Sequence, residues 1–82
     1  MSAPNKYVVV KNEYGIEAAI TFSPVRSHRD VAHRFHRDDI LGAGFYGFQD
    51  GHVFVEGESE SLHIRHRHED AALIAKLTGI RQ

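Results

Sequence analysis

Residues 44–57 read Gly-Phe-Tyr-Gly-Phe-Gln-Asp-Gly-His-Val-Phe-Val-Glu-Gly, and this stretch carries a strong hairpin signal. Two runs rich in aromatic and β-branched residues flank an Asp-Gly pair at positions 50–51. Such a pair is typical of a two-residue type I′ turn, because both central residues of that turn need a positive φ. The stretch therefore predicts a β-hairpin with a fixed register. The predicted pairs are Gln49 with His52, Phe48 with Val53, Gly47 with Phe54, Tyr46 with Val55 and Phe45 with Glu56.

Further strands are predicted on both sides of this hairpin. Residues 6–11 contain three consecutive β-branched valines, and residues 16–22 alternate apolar and other side chains, with a turn signal at 12–15 between them. Residues 62–67 are predicted to return as the third strand of a meander, after a polar loop. That register would set Leu62 opposite Gly57, Ile64 opposite Val55 and His66 opposite Val53.

Two helices complete the predicted order. Residues 28–36 follow Ser27, a good N-cap, and residues 68–79 end on Gly79, a typical C-terminal stop. Leu73, Ile74, Leu77 and Ile80 would face the sheet. We therefore expect an α+β fold in ββαβββα order, with an antiparallel sheet made of a hairpin plus a three-stranded meander. The C-terminal helix would pack on one face of that sheet.

Composition limits the class of protein. The 82 residues suit a single small domain, residues 1–82, with residues 1–5 as a disordered N-terminus. The chain has no cysteine, which excludes disulfides, and no apolar run approaches the length of a membrane span. Since the N-terminus also lacks the features of a signal peptide, we expect a cytoplasmic protein. The formal net charge of −1 argues against a dedicated nucleic-acid binder, which usually carries a basic excess.

The predicted register separates the sheet into two faces. One face would carry Tyr46, Phe48, Val53, Val55, Leu62 and Ile64 as core under a helix. The other face would combine aromatic and basic side chains, with Arg65 opposite Phe54 and Glu56 opposite His63. We call it the aromatic–basic face, and it is the predicted binding site. Its residues are Phe45, Phe54, His52, His63, Arg65 and Arg67. The alternative is that the first helix or the N-terminal hairpin simply covers it.

Six of the seven histidines fall within residues 28–37 and 63–68. Histidine is a common metal ligand and changes charge near neutral pH. No histidine spacing here matches a known zinc pattern, and no nucleophile elbow, phosphate loop or dinucleotide fingerprint is present. We therefore predict no catalytic residue, no metal ligand and no cofactor. Protonation of the 63–68 cluster would build repulsion, which predicts a loss of stability or association between about pH 7 and 5.

The segment 27–80, in α-βββ-α order, resembles the double-stranded-RNA-binding domain in topology. That family places a lysine-rich run at the start of its second helix, where this chain has Glu69-Asp70. Carboxylates there would repel phosphate. We therefore expect a small non-catalytic binding module, with a protein partner or a second copy of the chain as ligand. The alternative is RNA or single-stranded DNA stacked on the aromatic–basic face.

Overall fold

The structure is a computed structural model that describes residues 5–79. It confirms the α+β class. Within these residues the chain forms the helices α1 and α2, a short 3₁₀ turn at Arg37–Asp39, and six strands. Their bounds are β1 Asn5–Lys11, β2 Glu17–Phe22, α1 His28–Ala32, β3 Ile40–Gln49, β4 His52–Glu56, β5 Glu58–Ser59, β6 Ile64–Arg65 and α2 Asp70–Thr78.

Strands β1 to β4 form one antiparallel sheet in the order β2-β1-β3-β4. The β3–β4 register agrees with the prediction at all five pairs, from Gln49 with His52 to Phe45 with Glu56. Asp50 and Gly51 have φ values of 53° and 79°, as a type I′ turn requires. β1 begins at Asn5, so the prediction of a disordered N-terminus is wrong at residue 5, and residues 1–4 lie outside the described residues.

The predicted third strand of the meander is wrong. Only Ile64–Arg65 are extended, and they pair with β5 in a separate two-stranded sheet rather than with β4. The three predicted pairs of this strand with residues 53–57 are therefore absent from the described structure. The physical reason is Gly57, whose φ of 74° turns the chain out of the β4 direction. The Gly57 carbonyl then accepts hydrogen bonds from the backbone N–H and the ring Nδ1 of His66, at 3.1 and 2.7 Å.

Side chains cover both faces of the main sheet. Tyr7, Val9, Tyr46, Val53, Ile74 and Ala75 form one buried cluster beneath α2. Val8, Val10, Val31, Ala32, Ile40 and Ala43 form a second cluster on the other face, beneath α1. Leu62 and Ile64 pack against this second cluster, although the predicted register placed them on the face of Tyr46. The diverted β5–β6 hairpin therefore helps α1 to cover the face that the sequence left open.

Both helices have the predicted caps but are shorter than predicted. The Ser27 hydroxyl accepts a hydrogen bond from the backbone N–H of Asp30 at 3.1 Å, and α1 ends at Ala32. Gly79 takes the left-handed conformation at the end of α2, with its N–H donating to Ala75. Ile80, predicted to face the sheet, lies outside the described residues. Neither helix within residues 5–79 has the length and apolar character needed to cross a bilayer.

Candidate functional site

The three predicted site residues on the β3–β4 hairpin lie in different surroundings. The Phe45 ring packs edge-on against the buried imidazole of His28, with ring centroids 5.4 Å apart. It also lies against the backbone of Gly57. Phe54 is half-buried and His52 is exposed, toward the β4 edge of the sheet. The start of α1 thus covers part of Phe45, in the direction of the alternative interpretation of this face.

The three predicted site residues from the later segment lie elsewhere. His63 is exposed in the turn between β5 and β6, with a φ of 56°. Arg65 pairs with Glu58 across the β5–β6 hairpin, not with Phe54. The guanidinium of Arg67 contacts carboxylates of β2 and α2. The structure therefore does not bring the six residues of the aromatic–basic face together on one surface.

A buried polar cluster at the start of α2 was not anticipated from the sequence. Asp70 is fully buried, and its carboxylate accepts hydrogen bonds from the Tyr7 hydroxyl at 2.6 Å and the Arg67 backbone N–H at 2.9 Å. The Arg67 guanidinium donates to Asp70 at 2.8 Å and to Glu17 at 2.8 Å. The cluster therefore ties β1, β2 and the first turn of α2 together.

The surroundings of this cluster keep the Tyr7 hydroxyl neutral and the Arg67 guanidinium charged. Burial and the hydrogen bond to Asp70 raise the pKa of the Tyr7 hydroxyl far above its usual range. Burial opposes the charge of Arg67, but hydrogen bonds to Glu17 and Asp70 outweigh it and raise its pKa. A Cβ atom at Gly42 would collide with the Asp70 carboxylate, so the glycine makes room for this acid. Since Tyr7 and Arg67 already donate to Asp70, the cluster is suited to holding elements together rather than to proton transfer.

One of the seven histidines, His28, is buried and has a structural role. Its side chain is buried between Phe22 and Phe45, each ring centroid 5.4 Å away and nearly perpendicular. Its Nε2 lies 2.8 Å from the Gly44 carbonyl oxygen and donates to it in the neutral form. Burial lowers the pKa of His28, partly offset by that hydrogen bond. Within residues 5–79, no group of three or more His, Asp or Glu side chains is arranged to hold a metal ion.

An open groove of about 300 Å³ runs between β2 and α2, and we call it the β2–α2 groove. Its residues are Ile16, Glu17, Ala18, Ala19, Leu73, Lys76 and Leu77. Ile16 and Leu77 leave 64 % and 56 % of their surface exposed, which is high for large apolar side chains. Among the described residues, β2 pairs only with β1, so its other edge is open beside this groove.

The opposite edge of the sheet has a cavity of different character. Phe48, Gln49, Phe54 and Glu56 line about 340 Å³ near the end of the β3–β4 hairpin. Phe54 is the one predicted site residue in this lining, and its neighbours there are polar as well as aromatic. Phe54 therefore borders an accessible cavity, and His52, His63 and Arg65 are also exposed.

Comparison with known proteins gives a partial similarity. No family model and no solved structure matches the chain. A stretch of 59 residues, 72 % of the chain, is 34 % identical to the D-inositol 3-phosphate glycosyltransferases of Mycobacterium tuberculosis and Mycobacterium bovis. The chain spans only 12 % of the length of those relatives. The similarity therefore concerns a small part of a much larger enzyme and does not assign the chain to a family.

The sequence did not predict the groove, because the groove depends both on an open strand edge and on an exposed residue of α2. The alternating pattern at residues 16–22 predicted a strand but gave no indication that one of its edges stays open. The helical pattern placed Leu77 toward the sheet, whereas the structure leaves more than half of it exposed. The sequence did contain one signal for the groove. Ile16 and Leu77 are large apolar residues that belong to neither of the two core clusters.

Proposed function

We propose that this chain is a small non-catalytic interaction module that binds protein through the β2–α2 groove. The single observation that carries the proposal is the coincidence of an open strand edge with exposed apolar side chains. An unpaired edge offers backbone donors and acceptors to an added strand, and apolar side chains beside it give that strand a surface to bury. Ile16 and Leu77 supply such a surface on the two sides of the groove.

The polar groups support a binding role over a catalytic one. The buried cluster of Tyr7, Asp70 and Arg67 has its hydrogen bonds satisfied within the protein, and no buried side-chain N or O atom of residues 5–79 lacks a partner. A catalytic acid or base needs a donor or acceptor that can reach a substrate. The partial similarity to the glycosyltransferases carries no activity to this chain, because it covers 12 % of their length.

Nucleic acid has less support as a ligand than protein. Stacking of bases needs accessible aromatic rings beside positive charge. Phe45 is packed on His28, and the charge of Arg67 is balanced by Glu17 and Asp70. Phe54 keeps part of its surface accessible, but its cavity includes the carboxylate of Glu56.

The test is an NMR titration of the isotope-labelled chain with a short extended peptide of alternating valine and threonine. We expect concentration-dependent shifts of backbone signals from Ala18 and Ala19 on β2 and from Leu73 and Leu77 on α2. A helical alanine–lysine peptide of equal length is the control and should leave these signals in place. Shifts confined to other surfaces, or none at millimolar peptide, would overturn the proposal.

A further inference from the structure

The geometry points to a second copy of this chain as the natural occupant of the β2–α2 groove. The two β2 strands would pair antiparallel about a two-fold axis perpendicular to the sheet and extend it from four strands to eight. This inference rests on the proposed function, because it names the partner for the same groove. Three features of the groove support it: an unprotected edge, a charge pattern that complements itself, and apolar side chains that would meet their own copies.

The two edges of the main sheet differ in how well they are protected. Proteins commonly place charged residues, proline or bulges on edge strands to prevent pairing with other chains. β4 carries His52 and Glu56 at its two ends. β2 reads Glu-Ala-Ala-Ile-Thr-Phe, and its one acid, Glu17, is already paired with Arg67 at 2.8 Å. β2 is therefore less protected than β4 against pairing with an added strand.

The charges on the groove of one copy complement those on the groove of a second copy related to it by a two-fold axis. Glu17 lies at the start of β2, level with the first turn of α2, to which Arg67 links it. Lys76 lines the same groove beside Ala18 and Ala19. An antiparallel two-fold arrangement centred on Ala18 sets Glu17 of one copy opposite Ala19 of the other, so each Lys76 approaches the Glu17 of the other copy. The Glu17 side chain is 35 % exposed, which leaves its carboxylate room for a second cation.

Lys76 is suited to such a contact. Within the described part of the chain it forms no ion pair, and it is exposed beside the groove. An unpaired lysine next to an apolar surface covers that surface with its aliphatic chain and presents its charge at the rim. The charge then favours one orientation of the partner over others, because a parallel arrangement would bring like groups together.

The apolar side chains give the same arrangement its stability. With the axis perpendicular to the sheet, both α2 helices lie on one face, and each Leu77 turns its exposed half toward the helix of the other copy. Burial of this surface removes apolar area from water in both copies at once. The formal net charge of −1 leaves little overall repulsion between copies. Because one short strand and one helix make a small interface, we expect a dissociation constant on the order of 10 µM.

The test is sedimentation equilibrium of the full chain from about 1 to 500 µM, a range that brackets the expected dissociation constant. We expect a reversible monomer–dimer equilibrium. Leu77→Gln should weaken dimerisation about tenfold or more, because each dimer loses apolar burial at two positions. Lys76→Glu should weaken it more than Lys76→Gln, because the new carboxylate faces Glu17 of the other copy. Phe48→Gln is the matched control, since Phe48 is 43 % exposed at the hairpin end of β3, away from β2, and it should leave the equilibrium unchanged.

Thermal melts of all four variants check that each one folds before its association is interpreted. A chain that stays monomeric across the range, or a dimer insensitive to both Leu77 and Lys76, would overturn the inference. The peptide titration separates this failure from that of the proposed function. A monomer whose groove signals still respond to the peptide retains the binding role and lacks only the self-pairing.

Discussion

Replacing Asp70 by alanine should remove a large part of the stability of this fold. Asp70 is fully buried and accepts from the Tyr7 hydroxyl at 2.6 Å and from Arg67 at 2.9 and 2.8 Å. Its loss leaves the hydroxyl without an acceptor and the guanidinium with Glu17 alone. Breaking a buried ion pair by deleting one partner costs about 3–5 kcal/mol. Domains of this size have only about 5–15 kcal/mol in total, so Asp70→Ala lies near the limit of folding.

The matched variant Tyr7→Phe removes one donor and leaves the ion pair intact. A hydrogen bond to a charged group contributes about 1.5–3 kcal/mol, so this variant should cost clearly less than Asp70→Ala. In the double variant, phenylalanine no longer carries the hydroxyl that Asp70→Ala leaves unsatisfied. The double variant should therefore cost less than the sum of the two single variants, by about 1–2 kcal/mol.

Urea unfolding followed by circular dichroism measures all three free energies. For a domain of 60–100 residues, 1 kcal/mol corresponds to a shift of about 4–8 °C in the melting temperature. Asp70→Ala should therefore melt at least about 12 °C below the parent protein. A loss below about 1 kcal/mol for Asp70→Ala, or strict additivity in the double variant, would refute the assigned role of the cluster.

Three further predictions concern single positions. Gly42→Ala should lower the free energy of unfolding by about 1–3 kcal/mol, because the added methyl group overpacks against the Asp70 carboxylate. If Gly42→Ala causes a similar loss in an Asp70→Ala background, the clash with Asp70 is not the cause. Because burial lowers the pKa of His28, the folded state binds fewer protons there, so its contribution is complete above about pH 6.5 and is lost as the pH falls below that value. Urea midpoints at pH 7 and 5 should therefore differ less in His28→Gln than in the parent or in the exposed control His68→Gln, and equal differences would contradict this. Ser27→Ala should cost about 1 kcal/mol by removing the N-cap of α1, and an unchanged melting temperature would show that the cap is dispensable.

The sequence predicts most of the fold where local chemistry sets the geometry. The Asp50-Gly51 turn fixes the register of β3 and β4 because its backbone permits one arrangement of the flanking strands. The Ser27 and Gly79 caps also act through neighbouring backbone groups. The path after β4 was mispredicted because Gly57 directs the chain toward a distant partner surface, and the alternating pattern of residues 62–67 does not encode that change.

The candidate site was harder to predict because it depends on contacts that are distant in sequence. Arg67 joins Glu17, which lies 50 positions earlier, and this contact removes it from the aromatic–basic face. Phe45 is partly covered because α1 begins with a histidine that reaches the carbonyl of Gly44. The β2–α2 groove exists because β1, and not β2, pairs with β3. Periodicity identifies the strands, but it does not determine which of them become edges.

Cross-linking through a single introduced cysteine tests pairing through β2 most directly, because the native chain has no cysteine. Ala18 is exposed on β2, and a two-fold axis centred on Ala18, Ala19 or Ile20 brings it within about 15 Å of its own copy. Ala18→Cys at 100 µM should form a covalent dimer rapidly with a bismaleimide of matching length. Gln49→Cys, at the last residue of β3 beside the β3–β4 turn, should stay monomeric. Equal cross-linking of the two variants, or none at Ala18→Cys, would contradict pairing through β2.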